Sequence, residues 1–359
     1  PMLATGLVIA LWGYAVANHR PALRWLLAAL CLAACASAAI GLHDSLTGKL
    51  SPWTGMAQTP GYEKRGEAAR FLIACGGEDG NISFSVSLLG VVAVAFVLAH
   101  VPRLSKPLPR MLLCVTALVG ASALLLSRSR GGIVGVGVIL LALPVVWGLL
   151  ARRGTRRWWP ATLLPLALAV AGVLALVYKA DVNLKKGGFD DVRFTSIWPV
   201  YAAAVAGHPL GQPWNKTPEF EAEVRRSMAR FGISIPEKGQ AGLRRTLDAR
   251  PHNAVLTNGL YYGWAGALAW LLLYGWVFYA GLATLRRYRG LPLYQTQCWL
   301  VAALLVANLA LLMPAMVQNN DILQDEVRNW LWLGLAAGAI LATRRGRRTE
   351  PGGGTTNLH

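Results

Sequence analysis

His252 and Asn253 stand together in DARPHNAVLTNGLYYGWAG, immediately before a long uncharged run that begins at Ala254. An imidazole at the mouth of an apolar helix can take a proton from a hydroxyl near neutral pH. It can equally cap the helix or touch a lipid headgroup. Arg250, two residues earlier, either joins an anion site or anchors the helix end. A second feature is SRSRGG, where Arg128 and Arg130 are followed by Gly131 and Gly132. Arginine forks beside the bare N–H groups of a helix start suit phosphate or pyrophosphate. The plainer alternative is snorkelling to headgroups. The third is DDVRFTSIWPVYAAAVAGHPLG, in which Arg193 precedes Trp198 and Tyr201, and an apolar segment leads to a proline-glycine turn. A re-entrant or interfacial helix here would present Arg193 to an outer cavity, whereas an arginine in a loop of mixed charge is by default solvated. His43 and His208 are reserve candidates, and His19, His100 and His359 fall near the opposite face or in the tail.

Other chemistries have no motif. The chain lacks DxD, H-E-x-x-H, G-x-S-x-G and a Walker loop, so neither a metal site nor a cofactor is expected. Its five cysteines form neither a disulfide framework nor a metal knuckle: Cys31, Cys35, Cys114 and Cys298 lie in apolar runs and Cys75 lies alone in a loop.

The elements that must carry these residues follow from composition. Of the 359 residues 55% are apolar and only 14% charged, with a mean hydropathy of +0.43. A soluble domain would carry nearer a quarter charged residues. Uncharged runs at 1–17, 22–42, 82–101, 111–126, 132–150, 160–178, 254–282, 291–313 and 329–343 approach or reach the length of a bilayer span. The runs are continuous rather than alternating, which excludes a β-barrel. The expectation is an all-α, polytopic transmembrane helical bundle of nine spans, forming one integral membrane domain over 1–359.

Charge sets the orientation. NHRPALR, PRLSKPLPR, RRGTRR, RRYRG and the tail RRGRR occupy alternate connections, and the only acid near them is Glu350. By the positive-inside rule these are cytoplasmic, including the basic tail 344–359. The net charge of +18 is thereby explained without a nucleic-acid partner. Nine spans and a cytoplasmic C-terminus put Pro1 outside, which predicts further spans upstream. The connections 43–81, 127–131, 179–253 and 314–328 fall outside. Arg128 and Arg130 therefore sit on the side where the rule does not ask for arginine. The large loop 179–253, inserted between spans, is expected to be partly helical. In TPEFEAEVRRSMARFGI, Thr217 caps, Pro218 and acids follow, and Phe220, Val224, Met228 and Phe231 recur at helical spacing. That pattern is expected to be an amphipathic helix on the membrane surface or over the bundle, or equally an ordinary packed surface helix. No span has an Asp, Glu, Lys or Arg at its middle, which weighs against ion-coupled transport.

At these residues the chain resembles the bacterial O-antigen ligases, within the wider superfamily of O-antigen polymerases and O-linked protein oligosaccharyltransferases. The ligase pattern is His, then Asn, Ser or Gln, nine residues, Gly, two residues, then Gly, Thr or Tyr. His252, Asn253, Gly263 and Gly266 match it throughout. SRSRGG before a span and RFTSIW leading to HPLG also resemble the superfamily's segments, and the likeness covers about residues 80–345. The arginine segments are shared with the polymerases. The family usually has about twelve spans and a large periplasmic loop.

The resemblance implies glycosyl transfer at the periplasmic face of the bacterial inner membrane. The donor would be a glycan on undecaprenyl pyrophosphate, the acceptor a hydroxyl of lipid A–core, and the surrounding partners membrane lipids. Arg128 or Arg130 with Arg193, and Arg250 more weakly, would hold the pyrophosphate without a metal. His252 would be the base, giving inversion, with Asn253 and Trp198 in support. Gly263 and Gly266 are expected to allow close helix packing, a structural role. Polymerase and oligosaccharyltransferase activities are the near alternatives. A lipid-linked glycan binder or scramblase is the alternative of another class.

Overall fold

The computed structural model describes residues 2–47, 78–101, 107–126, 130–150, 198–211, 218–232, 253–316 and 327–345. Among them every regular element is helical. In chain order these are α1 (Met2–Asn18), α2 (Arg20–Thr47), α3 (Glu78–Ala99), α4 (Pro107–Leu126), α5 (Arg130–Leu150), α6 (Trp198–Gly207), α7 (Pro218–Arg230), α8 (Ala254–Tyr288), α9 (Gln295–Ala315) and α10 (Val327–Arg345), with a 3-10 turn Pro292–Tyr294 before α9. Five stretches are long and apolar enough to cross a membrane: Arg20–Ile40, Pro107–Leu125, Gly132–Leu150, Ala254–Tyr288 and Pro292–Met313. The apolar parts of α1 and α3 are shorter. The run 160–178 lies outside the described residues. The described residues are thus all-helical, and their long apolar helices mark a membrane-embedded protein.

The centre of the bundle is the pair α3 and α9, whose apolar residues from Leu88 to Val97 and from Cys298 to Ala307 are buried almost without exception. Helices α4 and α5 flank α3, and α5, α8 and α10 surround α9. Pro144 sits inside α5, tolerated where neighbouring helices can compensate for the lost backbone bond. Helices α1 and α10 run parallel: a Cβ on Gly6 would meet Trp330, one on Gly334 would meet Ala10, and one on Gly338 would meet Tyr14. Parallel packing is the relation expected when both helices enter from one side.

The bundle has two chemically distinct ends. At one, His100 closing α3, Trp147 of α5 and Trp299 of α9 meet edge to face in series at centroid distances of 5.8 and 5.6 Å. Tyr288 and Tyr294 meet across the turn from α8 to α9 at 5.1 Å. Arg344 donates from Nε to Thr284 Oγ1 (2.9 Å) and from Nη2 to the Ala280 carbonyl (2.9 Å). Arg20 meets the Gln297 side-chain amide at 3.0 Å. Arg20, Arg286, Arg287 and Arg344 thus gather at one end, as the alternation of basic connections requires.

The uncharged run 254–282 was expected to be a single span, and here the structure differs. Helix α8 is broken at Gly263, whose backbone (φ 69°, ψ −174°) is in a region essentially reserved for glycine. The reason is visible in the lengths. Helix α8 has 35 residues and α9 has 21, yet they are tied at both ends: Tyr288 to Tyr294 at the basic end, and Asn253 to Met316 at the other. Straight helices would differ by about 20 Å at the usual rise. The break at Gly263 lets both ties form despite that difference.

Candidate functional site

The end opposite the arginines carries a second, smaller layer. Helices α6 and α7 and the first turns of α8 enclose their own apolar cluster of Val200, Tyr201, Val205, Phe220, Val224 and Leu260. Of the amphipathic stretch, Phe220, Val224 and Met228 are buried against α6. Phe231 falls outside that face, because the helix ends at Arg230 and Gly232 (φ 66°) turns the chain away. Acids in the first turn and an Arg225–Glu221 pair at 2.6 Å support α7.

Asn253 is the joint between the two layers. Its Oδ1 accepts from the N–H groups of Val255 (2.9 Å) and Leu256 (3.1 Å), capping α8. Its Nδ2 donates to the Met316 carbonyl at the end of α9 (3.1 Å). The side chain is therefore anchored at both its oxygen and its nitrogen, a more structural role than orienting a substrate group.

The segment HPLG meets the Gly263 break. The Trp264 N–H, which an unbroken helix would direct to Leu260, donates instead to the Pro209 carbonyl (3.0 Å). A Cβ on Gly263 would collide with Pro209 and Leu210 backbone atoms. Gly211 (φ 86°) closes the turn from the other side, its N–H donating to the His208 carbonyl at 2.9 Å. The two glycines therefore serve a close backbone approach between a turn and a broken helix, whereas the sequence had suggested helix–helix packing at Gly263. Gly266 instead makes room within α8, since a Cβ there would strike Tyr262 of the preceding turn. His208 Nε2 lies 3.2 Å from Glu223 Oε1, tying the same turn to α7. That pair was not foreseen: nothing in the spacing of His208 and Glu223 announces it.

Between α6 and the start of α8 lies an open cleft of about 360 Å³, lined by Trp198, Pro199, Ala202, Asn253, Val255 and Leu256. Trp198 and Asn253 are thereby brought together. Of the other candidates, Arg128, Arg193, Arg250 and His252 lie outside the described residues, and Arg130 is described only as the first residue of α5. In the sequence Asn253 directly follows His252, and Trp198 comes five residues after Arg193. Helix α5 runs antiparallel to α9, meeting it at Trp147 and Trp299 near the basic end. Its Arg130 start therefore lies toward the end where Met316 and Asn253 meet. The cleft wall is mostly apolar, suited to an amphiphile whose polar part lies at the rim.

Among the described residues no group of three or more His, Cys, Asp or Glu side chains could hold a metal ion. The chain matches no family model, no curated protein and no solved structure.

Proposed function

We propose that this protein is a glycosyltransferase of the O-antigen ligase type. It moves a glycan from undecaprenyl pyrophosphate to a lipid A–core hydroxyl at the periplasmic face of the inner membrane. The observation that carries this reading is the meeting of the Trp198 and Asn253 segments at one cleft, on the end of the bundle opposite the gathered arginines. The stretches bearing Arg193 and His252 lead directly into those residues. In this reading the chain has nine spans here, the loop 179–253 is periplasmic, and the arginine-rich end is cytoplasmic.

The chemistry needs little beyond this arrangement. A sugar on pyrophosphate already has a good leaving group, and catalysis consists of stabilising the negative charge that builds on it. Fixed arginine forks do so in a partly dehydrated site. Arg193 with Arg128 or Arg130 forms the clamp, and Arg250 adds to it. His252 removes the proton of the acceptor hydroxyl as that oxygen attacks the anomeric carbon, and undecaprenyl pyrophosphate leaves with inversion. Asn253 holds the chain beside His252 fixed between two helices.

The test incubates purified protein with lipid-linked glycan and lipid A–core and follows which molecule gains sugar. Gain on lipid A–core supports the ligase. Gain on the lipid-linked chain would make the protein a polymerase, and gain on a pilin-like protein an oligosaccharyltransferase. Donor binding without transfer, unchanged in His252→Ala, would leave a binder or scramblase.

A further inference from the structure

The turn 208–211 presents an apolar side chain that the bundle does not cover. Leu210 is 92% exposed, at the tip of the turn whose neighbour Pro209 accepts the Trp264 N–H. Trp264 in turn heads an exposed apolar stripe along α8: Trp264, Leu268, Leu272, Trp276 and Tyr279. From Trp264 to Arg286 the helix rises about 33 Å, close to the ~30 Å hydrocarbon core of a bilayer. One limit is marked by arginine and the other by a half-exposed tryptophan, a residue enriched at membrane–water interfaces. Leu210 is therefore level with the upper boundary of the lipid-facing stripe and next to it.

We infer that the 208–211 turn is a membrane-contacting wedge, with Leu210 entering the acyl-chain boundary of the adjoining leaflet beside Trp264. The partner is the lipid bilayer itself. Pro209 ties the wedge to the break in α8, and His208 ties it to α7. The short helix that lines the cleft, α6, ends in this wedge, so its seating depends on lipid. The inference requires a membrane-embedded bundle but no particular reaction.

The experiment places a nitroxide at Leu210→Cys in a background with Cys31, Cys35, Cys75, Cys114 and Cys298 replaced by alanine. The protein is reconstituted in phosphatidylethanolamine–phosphatidylglycerol vesicles, with Leu268→Cys and Glu219→Cys as references. Oxygen should relax the Leu210 label several-fold more than a water-soluble nickel chelate does, as at Leu268. Relaxation by the chelate as strong as at Glu219 would overturn the wedge. Where a cysteine variant fails to fold, the unmodified chain in vesicles containing a diazirine lipid gives the answer. Adducts on the Leu210 peptide as well as the Trp264–Tyr279 stripe support the wedge, and adducts on the stripe alone refute it.

Discussion

The two ends of the bundle are closed by different chemistry. At the basic end, adjoining helices are locked by ring contacts and by Arg344 reaching across to α8. At the opposite end a broken helix, a short helix and a capped joint leave a cleft open. The first arrangement builds rigidity from bulky rings in mutual contact and from a long arginine that reaches across helices. The second builds shape from backbone geometry, with carbonyls and amides of separate segments satisfying one another. The contrast teaches that substitutions at the two ends should separate stability from function.

The largest effect is expected at the break. Gly263→Ala places a Cβ in a backbone region reserved for glycine and against the Pro209 carbonyl, a combined cost of roughly 2–4 kcal/mol. The melting midpoint should fall, and protease should cut 208–211 faster. Gly275→Ala in the same helix meets nothing within 4 Å and should leave both unchanged. Equal behaviour of the two variants would dissolve the distinction between broken and regular parts of α8.

At the basic end, Arg344→Ala removes two charge-assisted hydrogen bonds, a loss of about 2–3 kcal/mol. Thermal unfolding should show it, while transfer per folded molecule stays as before. A specific loss of transfer with unchanged stability would assign that end a functional role it lacks here.

Asn253→Ala should cost about 1–2 kcal/mol by removing the cap and the link to Met316. It should also lower transfer, because the chain beside His252 loses its anchor. Asn253→Asp keeps the acceptor and should recover the cap's share of stability but not the link to Met316. The smallest effect belongs to Glu223→Gln, which weakens the half-exposed pair with His208 by less than about 1 kcal/mol. A denaturation comparison of Glu223→Gln with the parent checks it; a cost as large as that of Asn253→Ala would make the His208 tie a principal brace.

Much of the bundle was legible in residue types. Uncharged runs bounded by arginine marked α2, α4, α5 and α9, because lipid imposes length and apolarity on a whole segment. The spacing of Phe220, Val224 and Met228 announced the buried face of α7 for a different reason: residues three or four apart share one side of a helix, and that side packs on α6. The break in α8 was not legible as such. It lies inside an uncharged run, and its cause is a backbone contact from HPLG, which hydropathy does not register. Gly263 itself was the clue, as a glycine where a helix would prefer alanine. In the site, Asn253 beside Ala254 read correctly as a helix mouth. Its bond to Met316 and the His208–Glu223 pair depend on tertiary approach, and no periodicity encodes them.

The central claim is that the cleft end is reactive and the basic end is a lock. The most direct measurement is transfer of glycan from undecaprenyl pyrophosphate to lipid A–core by purified parent, His252→Ala, Arg193→Lys and Arg344→Ala proteins of verified fold. Parent and Arg344→Ala should both transfer; His252→Ala should bind donor without transferring, and Arg193→Lys should transfer poorly because lysine keeps the charge but lacks the fork. Undiminished transfer by both His252→Ala and Arg193→Lys would contradict the account.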